Sequence, residues 1–86
     1  LMHHERWDGR GYPRLLKGEE IPLVVRLFSI VDAYEAMVNN RPYRQRLTPD
    51  EALDEILGNS GAQFDPYLVE EFSYLMKNDM EEKNIV

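Results

Sequence analysis

The chain has 86 residues, enough for one small domain whose core is marginal in size. Ten Lys and Arg against sixteen Asp and Glu give a net charge of −6, which disfavours unspecific binding to DNA or to an anionic membrane. There is no cysteine, so disulfides are excluded, and no apolar run approaches the ~18 residues of a membrane-spanning helix. No secretory signal pattern is present, and we expect a cytoplasmic location.

The first twenty residues contain three glycines and one proline, which break any long helix. Residues 1–6 are compatible with the end of a helix that begins upstream, and we expect a structured loop over 7–20. Ile21 and Pro22 then open a helix that is predicted to run to Asn39. Almost every position in it is apolar or small, so the pattern predicts a buried helix with one narrow polar stripe.

Residues 41–47 connect this central helix to two shorter ones. The run from Thr48 to Glu51 is a capping box with proline at the first helical position. Gly58 to Gly61 should stop the second helix, and Asp65-Pro66 should cap the third. The predicted apolar faces consist of Ala52, Leu53, Ile56 and Leu57 in the second helix and of Leu68, Val69, Phe72, Leu75 and Met76 in the third. Residues 79–86 are expected to be a fraying helix end or a tail, and the fold class is all-α.

Two groups of residues are candidates for metal binding. His3 and His4 are adjacent, with Asp8 nearby, and neutral imidazoles and carboxylates are ligands of transition metals. The alternative is a polar helix end or the remnant of an expression tag. Asp32 lies in the middle of the apolar helix, where a carboxylate is either a metal ligand or is paired inside the core, with Arg26 or an arginine after the helix as the partner.

Arg41 and Arg44 form a short cationic cluster just after the central helix. A guanidinium group suits the oxygens of a phosphate, to which it can donate two parallel hydrogen bonds. The alternative is that the two side chains donate to free carbonyls at the end of the helix. The spacing alone does not decide between these interpretations.

Residues 3–13, HHERWDGRGYP, resemble the signature of the HD-GYP family of bacterial cyclic dinucleotide phosphodiesterases. The resemblance continues through the run from Leu16 to Pro22, the helix with VDAY at 31–34, the run RPYR at 41–44 and GAQFDP at 61–66. It covers nearly all of residues 3–72. The chain is therefore similar to the C-terminal part of one HD-GYP-like domain, with segments 1–20, 21–40, 48–78 and 79–86, and the resemblance implies a partial helical bundle of the HD-superfamily type.

The resemblance also implies an activity and its residues. Such domains use two or three metal ions, usually iron or manganese, to hydrolyse cyclic di-GMP to pGpG or GMP. His3, His4 and Asp32 match the family's metal ligands and hence its catalytic residues. The positions that match substrate-binding residues are Arg41, Arg44, Glu35 and Tyr12. Gly11, Tyr12 and Pro13 match a loop discussed as a docking surface for diguanylate cyclase (GGDEF) domains.

Three features depart from the family pattern. The His-Asp pair that names the superfamily is expected before residue 1, so this chain carries about half of a metal site and should be inactive alone. Glu35 stands where the family usually has aspartate, and Leu15 replaces a glycine that commonly follows the Gly-Tyr-Pro turn. If that position needs a positive φ, leucine would reshape the loop.

These departures leave two hypotheses for function. The first is part of a metal-dependent cyclic di-GMP phosphodiesterase, and the second is a degenerate signalling module that binds the dinucleotide or a cyclase domain without catalysis. A different HD-superfamily phosphohydrolase is a third, weaker interpretation. Because two short helices and a loop cannot cover the central helix, its exposed face should pack against upstream helices or against a second copy in a homodimer.

Overall fold

The structure, a computed structural model, describes residues 5–12, 15–40 and 42–85. These residues form three α-helices, α1 (Leu23–Val38), α2 (Pro49–Gly58) and α3 (Pro66–Ile85), with a short 3₁₀ helix at Gly18–Glu20. No strand occurs among them. The prediction of an all-α chain, in which a glycine-rich loop precedes three helices, is confirmed.

The ends of α1 lie within one residue of the prediction. Pro22 is the N-cap of the helix and not a residue of its first turn. Asn39 closes the helix, because its backbone N–H and its side-chain amide both donate to the carbonyl of Glu35, at 3.2 and 2.8 Å. The predicted helical end before this loop is not found at Glu5 and Arg6, which are not helical, and residues 1–4 lie outside the described residues.

The capping box of α2 forms as the sequence predicts. The Glu51 N–H donates to Thr48 Oγ1 at 3.2 Å, and the Thr48 N–H donates to Glu51 Oε1 at 2.9 Å. After α2 the chain turns at Gly61, whose φ of +83° lies in the left-handed region that glycine adopts without strain. The turn places Phe64 against the helices and delivers the chain to α3.

Asp65 caps α3, with its Oδ1 accepting a hydrogen bond from the Tyr67 N–H at 2.9 Å. The helix continues to Ile85, so residues 79–85 extend it where a fraying end or a tail was expected. Leu75 was predicted on the apolar face, but it is 63% exposed. The predicted face of α2 is wrong at Leu57 in the same way, since that side chain is 39% exposed while Ile56 is fully buried.

The core is a small cluster in which one buried residue comes from each helix and one from the turn before α3. These four side chains are Ile30, Ile56, Phe64 and Val69. The rings of Tyr34 and Phe72 lie beside the cluster in an edge-to-face arrangement, with 5.5 Å between centroids. The cluster holds α1 on one side against α2 and α3.

The residues that the structure describes leave the opposite side of α1 uncovered. Ile30 is the one fully buried residue of the helix, and the face left exposed is the one expected to pack against upstream helices or a second copy. Between 38% and 60% of each side chain is exposed along a continuous apolar stripe made of Leu23, Val24, Leu27, Phe28 and Val31. The helix is apolar nearly all round, as its sequence indicates. The described residues cover only one side of it.

Candidate functional site

The described part of the loop over residues 5–21 docks on the turn between α2 and α3. The N–H groups of Trp7 and Asp8 donate to the carbonyls of Gln63 and Ala62, at 3.1 and 2.9 Å. The Gly18 N–H in turn donates to the carbonyl of Trp7 at 2.9 Å. The run GAQFDP, which the sequence offers only as part of a resemblance, therefore acts as the platform for this loop.

Glu5 closes the loop on itself from a buried position. Its side chain is 3% exposed, and its Oε2 accepts a hydrogen bond from the Leu16 N–H at 3.0 Å. The contact joins two residues that are eleven positions apart. A buried carboxylate of this kind fixes the loop's closure, a role that sequence reasoning missed because it depends on the tertiary path of the chain.

The carboxylate of Asp8, considered above as an additional oxygen ligand, is already engaged. It accepts two hydrogen bonds from the Arg6 guanidinium, at 3.2 and 3.1 Å, and one from the Arg10 N–H at 3.0 Å. The hydrogen bonds from the Arg6 side chain hold the pKa of Asp8 below its ordinary value, with a smaller contribution from the Arg10 N–H. Asp8 therefore shapes the loop, since its oxygens are committed to Arg6 and Arg10.

The tip of the loop has an exposed aromatic side chain and a strained residue. Gly11 is buried, Tyr12 is 61% exposed, and Pro13 lies outside the described residues. Leu15 has a φ of +54°, a region that costs residues with a Cβ roughly 1–2 kcal/mol. The glycine expected at this position would adopt a positive φ without that cost. Leucine adopts the positive φ as well, at the expense of strain.

Replacing Leu15 with glycine is expected to stabilise the chain by about 1 kcal/mol, because the strain is relieved and the leucine side chain, 64% exposed, contributes little burial. The free energy of unfolding in urea measures the change. The control is Leu16→Gly at the next position, which is not in the left-handed region and should destabilise. Equal destabilisation by both variants would contradict the assignment of strain to Leu15.

The two predicted acidic residues of α1 share an exposed part of the helix. Asp32 and Glu35 are one turn apart, and both are exposed. No hydrogen bond or ion pair joins Asp32 to any other described residue. The alternative in which Asp32 pairs with Arg26 does not occur, because Arg26 pairs with Asp65. Among the described residues Asp32 is thus an unpaired carboxylate, and it lies next to the exposed apolar stripe of α1.

Arg44 lies at the C-terminal end of α1. Its Nη2 donates to the carbonyl of Ala36 at 3.1 Å, which is the helix-capping contact considered as the alternative to phosphate binding. A guanidinium group has five N–H donors, so this contact leaves others for a ligand. Arg44 also borders an open cavity of about 200 Å³ between α1 and α2, with Glu55 and Gln63 on its wall. Arg41, its predicted companion, lies outside the described residues.

The predicted metal ligands can be compared with the structure at one position. His3 and His4 lie outside the described residues, and the described part of the chain contains no cluster of three or more His, Cys, Asp or Glu side chains. Asp32 is available as a metal ligand, since its carboxylate is exposed and has no partner among the described residues. Two imidazoles and one carboxylate suit a divalent transition metal, so the donor chemistry of the predicted set fits.

Comparisons with known proteins agree with one another. The chain is 47% identical over 72 residues to a cyclic di-GMP phosphodiesterase of Vibrio cholerae, a match that spans 84% of this chain and 15% of that protein. A cyclic di-GMP phosphodiesterase of Thermotoga maritima is also 47% identical, over 77 residues that span 90% of this chain and 21% of that one.

None of the helices in the described part is long and apolar enough to cross a membrane.

A solved structure shares the fold. The crystal structure of a cyclic GMP-AMP-specific phosphodiesterase of Vibrio cholerae superposes with a TM-score of 0.77 at 35% identity, covering 90% of this chain and 17% of that one. The family model of the HD domain matches residues 1–68. The resemblance to HD-GYP phosphodiesterases is confirmed, and the chain belongs to the HD-domain family.

Proposed function

We propose that this chain supplies part of the catalytic domain of a metal-dependent phosphodiesterase that hydrolyses cyclic di-GMP to pGpG or GMP. One observation carries the proposal: Asp32, the predicted metal ligand of α1, is an exposed carboxylate with no partner among the described residues. The names of the relatives from Vibrio cholerae and Thermotoga maritima support the choice of cyclic di-GMP as substrate.

HD-domain phosphodiesterases are metal-dependent, and we assign the ligands in this chain to His3, His4 and Asp32. Iron or manganese, two or three ions in a full domain, fits these donors. When bound, the metal supplies an activated water and neutralises charge on the phosphodiester. Asp32 contributes a carboxylate that is not neutralised by any described cation, so it is available to hold the metal's positive charge.

The remaining assigned residues bind and orient the substrate. Arg44, with Arg41, donates hydrogen bonds to a phosphate oxygen or to guanine through the N–H groups that Ala36 does not occupy. Glu35 lies one turn beyond Asp32 on α1, within the same exposed part of the helix, and Tyr12 projects an exposed ring from the loop. The assigned residues therefore combine metal-binding and polar carboxylates on α1 with phosphate-binding guanidinium groups that follow the helix.

The proposal is tested by replacing the shared region of the Vibrio cholerae cyclic di-GMP phosphodiesterase with the 72 residues of this chain that match it, a chimera that we call the Vibrio graft. We expect the graft to hydrolyse cyclic di-GMP when Mn²⁺ or Fe²⁺ is added, and the 86-residue chain alone to show no turnover. A control graft carries the corresponding region of the Thermotoga maritima relative. A folded graft that binds the dinucleotide without cleaving it would instead favour the degenerate signalling module.

The exposed ring of Tyr12 supports a second role for the loop formed by Gly11, Tyr12 and Pro13, the docking of a diguanylate cyclase (GGDEF) domain. An exposed aromatic side chain is typical of the centre of a protein–protein contact. Binding of a cyclase domain that is equal for the native chain and for Tyr12→Ser would refute this role.

The uncovered stripe of α1 supports association of the 86-residue chain into a homodimer. Contiguous exposed apolar side chains of this kind favour self-association in water. Sedimentation of the native chain as a monomer at high concentration would contradict the proposal.

A further inference from the structure

We propose that Arg26 is a positioning residue for the metal site, acting through Asp65 and Trp7 on the loop that follows His3 and His4. The inference rests on the proposed function, because it concerns how the ligand-bearing segments are held relative to one another. Arg26 does not touch the predicted ligand Asp32, so its effect on the site is indirect.

One guanidinium group contacts three separate parts of the chain. Arg26 Nη1 donates to Asp65 Oδ2 at 2.6 Å, and its Nε donates to the carbonyl of Ile21 at 2.9 Å. Its central carbon also lies 6.0 Å from the ring centroid of Trp7, within the range of a cation–π interaction. The start of α3, the entry to α1 and the loop are therefore joined at a single side chain.

The ion pair is shielded from water, with 15% of the Arg26 side chain and 4% of the Asp65 side chain exposed. A shielded pair of this kind resists screening by salt, and its planar guanidinium fork fixes direction as well as distance. Asp65 uses its other oxygen, Oδ1, to cap α3 through the Tyr67 N–H. The orientation of Arg26 is thus tied to the first turn of α3.

The turn just before α3 also fixes the loop, through the backbone. Gln63 and Ala62, the two acceptors of the Trp7 and Asp8 N–H groups, come two and three residues before Asp65. Arg26 therefore contacts both the loop and the turn on which it docks. It reaches the loop directly at the Trp7 ring and the turn through Asp65. We call Arg26, Asp65 and Trp7 the clamp.

The clamp links the two segments from which the predicted metal ligands come. Trp7 follows His4 by three residues, and Arg26 precedes Asp32 by six residues on α1, a rise of about 9 Å along the helix. Ligands from separate segments must be held to within roughly 0.5 Å for tight metal binding. A change that loosens the clamp should therefore weaken metal binding without removing any ligand.

The test compares Arg26→Lys with the native 86-residue chain. Lysine keeps the positive charge but loses the planar fork, and the matched control is Arg46→Lys at an exposed position outside the clamp. Amide hydrogen exchange by NMR should become on the order of tenfold faster at Trp7 and Asp8 while Ile56 and Val69 stay unchanged. In calorimetry of the Vibrio graft, whose other segments supply the rest of the metal site, Arg26→Lys should raise the Mn²⁺ dissociation constant about tenfold.

A second variant, Asp65→Asn, keeps an oxygen for the cap of α3 but removes the charge that faces Arg26. It should reproduce the local acceleration of exchange at Trp7 and Asp8. Unchanged exchange there in both variants, or equal acceleration at Ile56 and Val69, would overturn the positioning role. An unchanged Mn²⁺ dissociation constant in both variants, despite faster local exchange, would overturn it as well.

The two readouts separate this inference from the proposed function. If the Vibrio graft fails to bind Mn²⁺, the proposed metal site is wrong, whatever the exchange rates show. The role of the clamp in positioning the metal would then be refuted together with the metal site. Faster exchange at Trp7 and Asp8 would still identify Arg26 as the residue that docks the loop. If the graft binds Mn²⁺ and its Arg26→Lys and Asp65→Asn variants bind it equally well, the proposed site stands and the clamp alone is refuted.

Discussion

Replacing Asp32 with alanine in the Vibrio graft is expected to lower metal-dependent hydrolysis of cyclic di-GMP at least about 100-fold. Losing a partner that merely orients a ligand costs roughly 10–100-fold in affinity or activity, and losing the ligand itself should cost more. Asp32 is exposed and unpaired among the described residues, so its removal should change the free energy of unfolding by less than about 0.5 kcal/mol. The activity loss is therefore separable from unfolding.

The matched control for this variant is Asp54→Ala, which removes an exposed carboxylate from α2. We expect Asp54→Ala to leave hydrolysis unchanged, because the loss of one surface charge should not affect a metal held by α1. Initial rates at saturating Mn²⁺ and at a tenfold lower concentration distinguish weakened metal binding from slower chemistry. Full activity of the Asp32→Ala graft would show that this residue is not a metal ligand.

The helix ends illustrate what local sequence determines. The hydrogen bonds between Thr48 and Glu51 close within a single turn of chain, so the four residues of the capping box contain all the information needed. The same holds for Asp65, whose capping contact with Tyr67 spans two residues. These elements were predictable because no distant part of the molecule takes part in them.

Arg26 illustrates what local sequence leaves open. Its partner Asp65 lies 39 residues away, and nothing in the spacing distinguishes that carboxylate from the nearer Asp32. The pairing is decided by the packing of α1 against the start of α3, which brings Asp65 into a shielded position. An ion pair between separate elements depends on the whole fold, so local sequence could not decide whether the alternative of an Arg26–Asp32 pair forms.

The helical periodicity of the sequence predicted only part of the burial of apolar side chains. The helical period correctly groups Ala52, Leu53 and Ile56, all of which are buried, but it also includes Leu57 at the edge of the face. For α1 the period carries no such information, because apolar residues surround the helix. Which side is covered then depends on the neighbouring elements, and α2 and α3 lie on the side of Ile30.

The residues of the candidate site were predictable where a family motif assigns them. Whether each side chain is free to bind a ligand was not predictable, because tertiary contacts decide which partners it has. Asp32 was identified from the motif, and its exposed, unpaired state is information that the structure adds. Asp8 carries the same kind of carboxylate, yet Arg6 and the Arg10 N–H occupy its oxygens. The predicted residues His3, His4, Arg41 and Pro13 lie outside the described residues and stay predictions.

Truncating Ile56 to alanine is expected to destabilise the chain by about 2–5 kcal/mol. Ile56 is fully buried in a core cluster of four residues, so the truncation removes apolar contacts with Ile30, Phe64 and Val69 and leaves a cavity. Small domains have a total stability of about 5–15 kcal/mol, and the marginal core of an 86-residue chain places it near the lower end. A single truncation can therefore unfold much of the population.

The neighbouring residue provides the control, because Leu57 lies on the same helix and is 39% exposed. Both substitutions gain the high helix propensity of alanine, so the difference between them isolates burial from backbone effects. Urea unfolding followed by circular dichroism should give a smaller loss for Leu57→Ala, and Ile56→Val should cost about 0.5–1.5 kcal/mol. Equal losses at Ile56 and Leu57 would mean that the cluster is not the core, because burial is what separates these two adjacent side chains.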